Sequence, residues 1–183
     1  MELKFITGNT NKFEEVQKML GLPLEQLEID LPEPQSLDAE EIIRQKLKAA
    51  ESHAAGNYIV EDTSIYMECL GNKLPGPFIK WFEKAIQPEG IAELALKMGN
   101  QKATARTLVG FANADGEIHI FEGVQVGQIV PSRGDKDFGW GPIFEPEGSP
   151  RTYGEMEREE KYRVSMRAIA VKKLKEFLSN KTG

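Results

Sequence analysis

Apolar residues recur along this chain with two periods, near 2 and near 3.6, and each change of period marks a new element. Leu3 to Thr7 reads as a short buried strand that ends in Gly8-Asn9. A helix follows: Asn11 can cap it with Glu14 three residues on, and Phe13, Val16 and Leu20 share one face. Leu27, Ile29 and Leu31 alternate in a second strand, which Pro32 and Pro34 end. Asp38 and Glu41 repeat the capping pattern and open a helix with Ile42, Ile43, Leu47 and Ala50 facing inward. Tyr58-Ile59-Val60 is a third strand that runs directly into Glu61-Asp62-Thr63-Ser64. This β-α-β-α-β order predicts an α/β sheet.

The middle of the chain changes character. Leu74-Pro75-Gly76-Pro77 is a rigid turn, and Pro77 suits the first turn of a helix carrying Ile79, Trp81 and Phe82. A short helix from Ile91 to Met98 follows Pro88-Glu89-Gly90. Ala103 to Ala112 reads as a long strand, Asp115-Gly116 as a hairpin turn into Glu117 to Phe121, and Val124 to Val130 continues the β pattern. Pro131 to Gly154, rich in Gly, Pro and aromatics, is expected to form site loops. A last helix spans about 159 to 179, with Val164, Ala168, Val171, Leu174 and Leu178 inward. The pattern predicts one domain with a mixed sheet and a helical and hairpin lobe inserted between its halves.

Composition narrows the function. A chain of 183 residues is long enough to bury roughly 70% of its unfolded surface, so it needs no metal or disulfide to fold. Twenty-three Lys and Arg against 29 Asp and Glu leave a net charge of −6, which disfavours binding of a nucleic acid polymer. Local lysines can still hold a small anion. Cys69 is the only cysteine, which excludes an intramolecular disulfide and CxxC chemistry, and with two histidines a His-rich metal site is not expected. His119 alternates outward in its strand and is expected to be solvated. No leader and no membrane-spanning apolar run are read, so the expected setting is cytoplasmic, without a membrane partner.

Thr7-Gly8-Asn9-Thr10-Asn11-Lys12 lies between a strand and a helix but lacks the second Gly and the Lys-Ser/Thr of a P-loop. Backbone N–H groups there, with the polar side chains of Thr7, Asn9, Thr10 and Lys12, would make a compact anion site. An ordinary capped βα turn would use the same residues. Glu61 and Asp62, read at a strand end, suit a hard cation such as Mg²⁺, and Glu33 after the second strand would reach the same edge. Asp62 opening a simple turn is the competing reading. Lys46 on the second helix and Lys161 on the last are, taken singly, solvated lysines. Phe138-Gly139-Trp140 in its Gly-rich loop can stack a nucleobase or merely pack the loop.

Six segments in order carry a resemblance. They are Phe5 to Lys12, Ile29-Asp30-Leu31-Pro32-Glu33, Val60-Glu61-Asp62-Thr63, Leu74 to Phe82, Phe138-Gly139-Trp140 and Glu160-Lys161. Together they closely resemble the inosine triphosphate pyrophosphatase family, which hydrolyses deaminated purine nucleoside triphosphates such as those of inosine and xanthosine to monophosphate and pyrophosphate. The resemblance implies one such domain over 1–183, with an α/β fold of two lobes, a long mixed β-sheet, flanking helices and a cleft between the lobes. It also implies a homodimer, a nucleoside triphosphate substrate and a Mg²⁺ requirement. Thr7, Asn9 and Lys12 match phosphate-loop positions, Lys46 a lysine that reaches the phosphates, and Lys161 one near base and phosphate. Glu33 and Asp62 match acidic metal and catalytic positions, with Glu61 beside them. Phe138 and Trp140 match base-pocket aromatics, and Ser165 and Arg167 match the flanks of a Ser-His-Arg motif.

Two departures stand out. Gly141 stands where the family usually has Asp, and Met166 where it usually has His. Both positions belong to base recognition, so base selectivity is expected to be weakened or redirected. Two alternatives stay open: a pyrophosphatase of related fold acting on modified pyrimidine nucleotides, and a weakly catalytic nucleotide-binding protein.

Overall fold

The computed structural model describes residues 2–53 and 55–181. Its elements are β1 (Leu3–Ile6), α1 (Thr10–Leu20), β2 (Glu25–Leu27), α2 (Ala39–Ala50), β3 (Asn57–Met67), β4 (Pro75–Gly76), α3 (Ile79–Lys97), β5 (Lys102–Ala112), β6 (Ile118–Ile129), β7 (Phe144–Pro146), α4 (Arg158–Val164) and α5 (Met166–Lys181). The strands form a seven-stranded sheet in the order β2-β1-β3-β5-β6-β7, with β4 paired to β3. The sheet is mixed: β1 runs parallel to β2 and β3, whereas β3–β4 and β6–β7 are antiparallel. It is the α/β fold that the sequence predicts.

The described residues divide into two compact units, those within 2–62, 107–123 and 167–181 in the first, and 63–106 and 124–166 in the second. In the first unit the strand pleat sends alternate residues to opposite faces. Phe5, Ile59, Val109 and Phe111 pack with Val16 and Leu20 of α1 and with Val171, Leu174 and Leu178 of α5. Ile6, Tyr58, Val60, Leu108 and Ala112 pack with Ala39, Ile43, Leu47 and Ala50 of α2. Both faces are thus covered, as parallel strands require. The second unit has its own core, in which Ile65, Met67, Ala105 and Ile129 meet Ile79, Ile91 and Ala95 of α3 and the aromatics Trp140, Phe144 and Tyr153.

Several boundaries differ from the sequence reading. Asn9, in extended conformation, caps α1 by accepting from the Lys12 N–H, so Asn11 lies inside the helix. β2 stops at Leu27, and Ile29 and Leu31 pack on the α2-side core without joining the strand. β3 does not end at Val60: it runs on to Met67, because Ile65 and Met67 keep the apolar alternation going. α3 runs from Ile79 to Lys97 but breaks at Gln87, before Pro88, so two helical pieces are present as the pattern suggests. β4 and β7 lie in segments whose Pro and Gly content masks a strand signal. The last helix is two helices, separated at Ser165, whose backbone is extended. Val164, expected inward, is exposed. His119 is not solvated as expected; its ring centroid lies 4.3 Å from that of Phe177. No helix among the described residues is long and apolar enough to cross a membrane.

One contact fixes how closely α2 approaches the sheet. A Cβ added at Gly110 on β5 would sit 2.5 Å from Ile43 Cγ2 and 3.0 Å from Leu47 Cδ1. Only a residue without a side chain lets these two buried residues lie flat on the strand. Overpacking of this kind costs about 1–3 kcal/mol. Gly110→Ala is therefore expected to lower the melting temperature by about 2–4 °C for each kcal/mol lost. A calorimetric melt superimposable on the wild type would show that α2 is free to shift.

Candidate active site

The site is built from the loop after β1 outward. The Thr7 N–H donates to the Leu27 carbonyl at 3.0 Å, which ties the end of β1 to β2. Thr7 Oγ1 accepts from the Asn9 N–H at 3.1 Å, and Asn9 Oδ1 accepts from the Lys12 N–H at 3.0 Å. The Thr7 hydroxyl and Asn9 amide thus shape the loop and cap α1. This cap projects Lys12 from the first turn of the helix, and its Nζ lies 3.0 Å from Glu61 Oε1.

Glu61 sits beyond the β1–β3 register, which runs from Leu3–Asn57 to Phe5–Ile59. It therefore lies where β1 has already given way to its loop, although β3 itself continues. Its side chain is almost fully buried. Arg167, in the first turn of α5, donates from Nε to Glu61 Oε2 at 2.6 Å and from Nη2 to Oε1 at 3.2 Å. Its Nη1 donates to Glu15 Oε2 of α1 at 2.5 Å. Burial alone would lower the guanidinium pKa, but Glu61 and then Glu15 outweigh it and hold it well above its ordinary value. Such a bidentate, desolvated pair is geometrically rigid.

Asp62 follows Glu61 directly, so the pleat turns it to the other face of β3, the face α2 covers. Lys46 of α2 donates from Nζ to the Glu61 carbonyl at 3.1 Å and pairs with Glu33 at 2.7 Å. Lys46 is nearly buried and Glu33 about half exposed. The three carboxylates expected to hold a metal are therefore divided. Among the described residues no three acidic, histidine or cysteine side chains converge in a metal-binding group.

The second unit holds the other candidates. Lys161 of α4 is buried, and its Nζ lies 2.6 Å from Asp137 Oδ1, with both side chains about 5% exposed. The same ammonium lies 4.8 Å from the Phe138 ring centroid and 5.7 Å from that of Tyr153. Phe138 is half-buried. Trp140 is buried against Phe144 and Tyr153, so it belongs to the core of this unit. Ser165 is fully buried and its N–H closes α4 on the Lys161 carbonyl at 2.9 Å. Met166 is buried too, with its sulfur accepting from the Tyr153 hydroxyl at 3.8 Å.

The structure thus joins Lys12, Glu61 and Arg167 into one network, and Lys46 with Glu33 into a second. Lys161 and Phe138 form a third group within the other unit. Sequence reasoning missed Glu15 and Asp137, which complete the first and third. Glu15 lies three residues after Lys12, hence on the same helical face, and that spacing was its available signal. Asp137 immediately precedes Phe138 and reads in sequence as one more surface carboxylate.

Residues 3–177 match the model of the Ham1 family. Inosine triphosphate pyrophosphatase of Schizosaccharomyces pombe is 38% identical to this chain over 179 residues, covering 96% of this chain and 94% of that protein. Among solved structures, the Ham1 protein of Staphylococcus aureus superposes with a TM-score of 0.80 at 22% identity, over 98% of this chain and 100% of that one. A HAM1 protein from Coxiella burnetii gives 0.78 at 22% identity, again over 98% and 100%. The second pair establishes the fold, and the near-complete span of the family match settles kinship: the chain belongs to the Ham1 family.

Proposed function

We propose that this protein hydrolyses deaminated purine nucleoside triphosphates, such as those of inosine, deoxyinosine and xanthosine, to the monophosphate and pyrophosphate. What carries this reading is the pair of lysines, Lys12 and Lys46, held on opposite faces of β3 by carboxylates they can exchange for phosphate oxygens. Kinship with a pyrophosphatase of that name agrees with it.

The charge balance explains why a divalent cation belongs here. Lys12, Lys46 and Arg167 are three cations set against four carboxylates, Glu15, Glu33, Glu61 and Asp62, so the cluster is formally −1. A triphosphate approaching it meets no surplus of positive charge. Mg²⁺ bound by Glu33 and Asp62 together with the phosphates would supply that charge and a more acidic water. One or two carboxylates suffice for Mg²⁺ when phosphates provide the remaining ligands. Glu61, whose oxygens face Arg167 and Lys12, is assigned to positioning.

In this scheme Lys12 and Lys46 turn from carboxylate to phosphate oxygens and stabilise the charge that grows there during displacement. Thr7 and Asn9 keep the loop in shape, and Arg167 fixes Glu61, which in turn orients Lys12. Asp62 accepts a proton from the attacking water and aims it at the α-phosphorus. The bond from that phosphorus to the bridging oxygen breaks and pyrophosphate departs. Positioning and electrostatics suffice, without a covalent nucleophile. Lys161 and Phe138 are assigned to the base, with Trp140, Ser165 and Met166 supporting them from within their unit.

Asp62→Asn keeps the shape and loses the charge, so kcat for pyrophosphate release from inosine triphosphate is expected to fall about a hundredfold or more, with the thermal melt little changed. Near-normal turnover at saturating Mg²⁺ would remove Asp62 from the reaction. Chelation with EDTA is expected to abolish turnover and added Mg²⁺ to restore it; undiminished hydrolysis in EDTA would exclude a dissociable cation. We also propose a homodimer, because Phe82 packs on the second unit's core while its neighbour Trp81 stays 60% exposed. Light scattering at micromolar concentration should give twice the 20.5 kDa chain mass. A monomeric mass would dispose of that assembly.

A further inference from the structure

Gly141 and Asp137 occupy one place between them. A Cβ built on Gly141 would overlap the Asp137 carboxylate, meeting Oδ2 first and then Cγ and Cβ. Asp137 can therefore lie where it does only because position 141 has no side chain. Its other oxygen, Oδ1, is the one paired with Lys161 at 2.6 Å. The result is a buried ammonium and a buried carboxylate side by side, next to a half-buried aromatic ring.

Buried ion pairs add little net stability, because desolvation offsets most of their attraction. What such a pair offers is a fixed pattern of hydrogen bonding. Lys161 can only donate and an ionised Asp137 can only accept. The ammonium lies 4.8 Å from the Phe138 ring centroid, so a planar base resting against that side of the ring would have both groups beside it. The lactam edge of a 6-keto purine presents a carbonyl oxygen beside an N–H, and so matches a donor beside an acceptor. Adenine presents the reverse, a ring nitrogen lone pair beside an amino group. Both contacts then set donor against donor and acceptor against acceptor, and a buried site that opposes like groups in this way rejects strongly.

We propose that Asp137, with Lys161, reads the lactam edge of the base, and that Gly141 is the vacancy that lets this carboxylate do so. This deepens the function proposed above and rests on it. The pair accounts for rejection of adenine and not of guanine, since guanine carries the same lactam edge. It also gives Gly141→Asp a definite consequence: the new carboxylate competes with Asp137 for the same space and the same lysine.

The test is kcat/KM for pyrophosphate release from inosine, guanosine and adenosine triphosphates with Mg²⁺, using the full chain. Asp137→Ala is expected to lower the inosine-to-adenosine and guanosine-to-adenosine ratios together, by about tenfold or more, while the inosine-to-guanosine ratio stays put. Asp137→Ala combined with Gly141→Asp should recover both ratios, because the second substitution returns a carboxylate to the vacated place. A purely structural role would depress all three substrates equally and would not be rescued. Unchanged ratios in folded Asp137→Ala, an equal loss on every substrate, or a wild type that treats inosine and adenosine triphosphates alike would each overturn the assignment. Asp137→Asn, which keeps the volume, carries the comparison if the alanine variant does not fold. Binding of inosine, guanosine and adenosine monophosphates by calorimetry gives the same ratios without chemistry. A wild type that binds them selectively but hydrolyses none of the triphosphates refutes the proposed hydrolysis alone; one that binds none overturns both.

Discussion

Consecutive residues of a β-strand point to opposite faces of its sheet, and that constraint acts on Glu61 and Asp62 in β3. The first is carried to the face covered by α1 and α5, the second to the face covered by α2. Two carboxylates adjacent in sequence therefore serve different surroundings. Glu61 is locked by a guanidinium and an ammonium, while Asp62 shares its face with α2, the helix that presents Lys46. Neither role could be exchanged by a small adjustment, because a one-residue slip of β3 would turn Ile59 and Val60 out of their cores as well.

The Glu61 side of this arrangement is electrostatically demanding. Arg167 is 2% exposed and stands in the first turn of α5, where the helix dipole is unfavourable to a cation. One carboxylate would leave part of its fork unsatisfied; Glu15 and Glu61 together satisfy it. Removing either would strand charge in the interior, a change that costs about 3–5 kcal/mol in comparable buried pairs. The break at Ser165 makes the arrangement possible. A continuous helix from 158 to 181 would set Arg167 by the phase of α4, whereas the extended Ser165 lets α5 start afresh.

Most of the fold was legible because long elements carry strong periodicity. α2 and β5 follow the apolar pattern almost residue for residue, and Asp38 caps α2 as its position suggests. What escaped was short or interrupted. β4 and β7 have two and three residues, too few to show a period, and the break at Ser165 lies inside a run whose apolar spacing stays helical on both sides. For the site, Lys12, Glu33, Lys46 and Glu61 are brought into ion pairs, and their order in the chain sufficed to nominate them. The direction of each side chain did not follow from that order. Glu61 and Asp62 look like one acidic pair in sequence and are two separate groups in space. Trp140 looks like a base platform and is buried in a core, since its ring meets Phe144 and Tyr153.

Gly141 shows the same limit in reverse. Read along the chain, a glycine in place of a carboxylate is a loss of polarity. Read in space, the carboxylate of Asp137 fills the volume that the missing side chain would have claimed, four residues away in sequence. A hydrogen-bonding site is defined by where an oxygen stands and what holds it there, and Lys161 holds this one at 2.6 Å. The loop permits the exchange because its backbone turns tightly: Gly139 has φ of 59°, and the Gly141 N–H returns to the Phe138 carbonyl at 3.2 Å. That turn brings position 141 back beside 137, so a side chain at 141 would collide with the Asp137 carboxylate as it stands. Side chains at 137 and 141 are thus coupled by volume as well as by charge, and a substitution at one acquires its meaning only from the residue at the other.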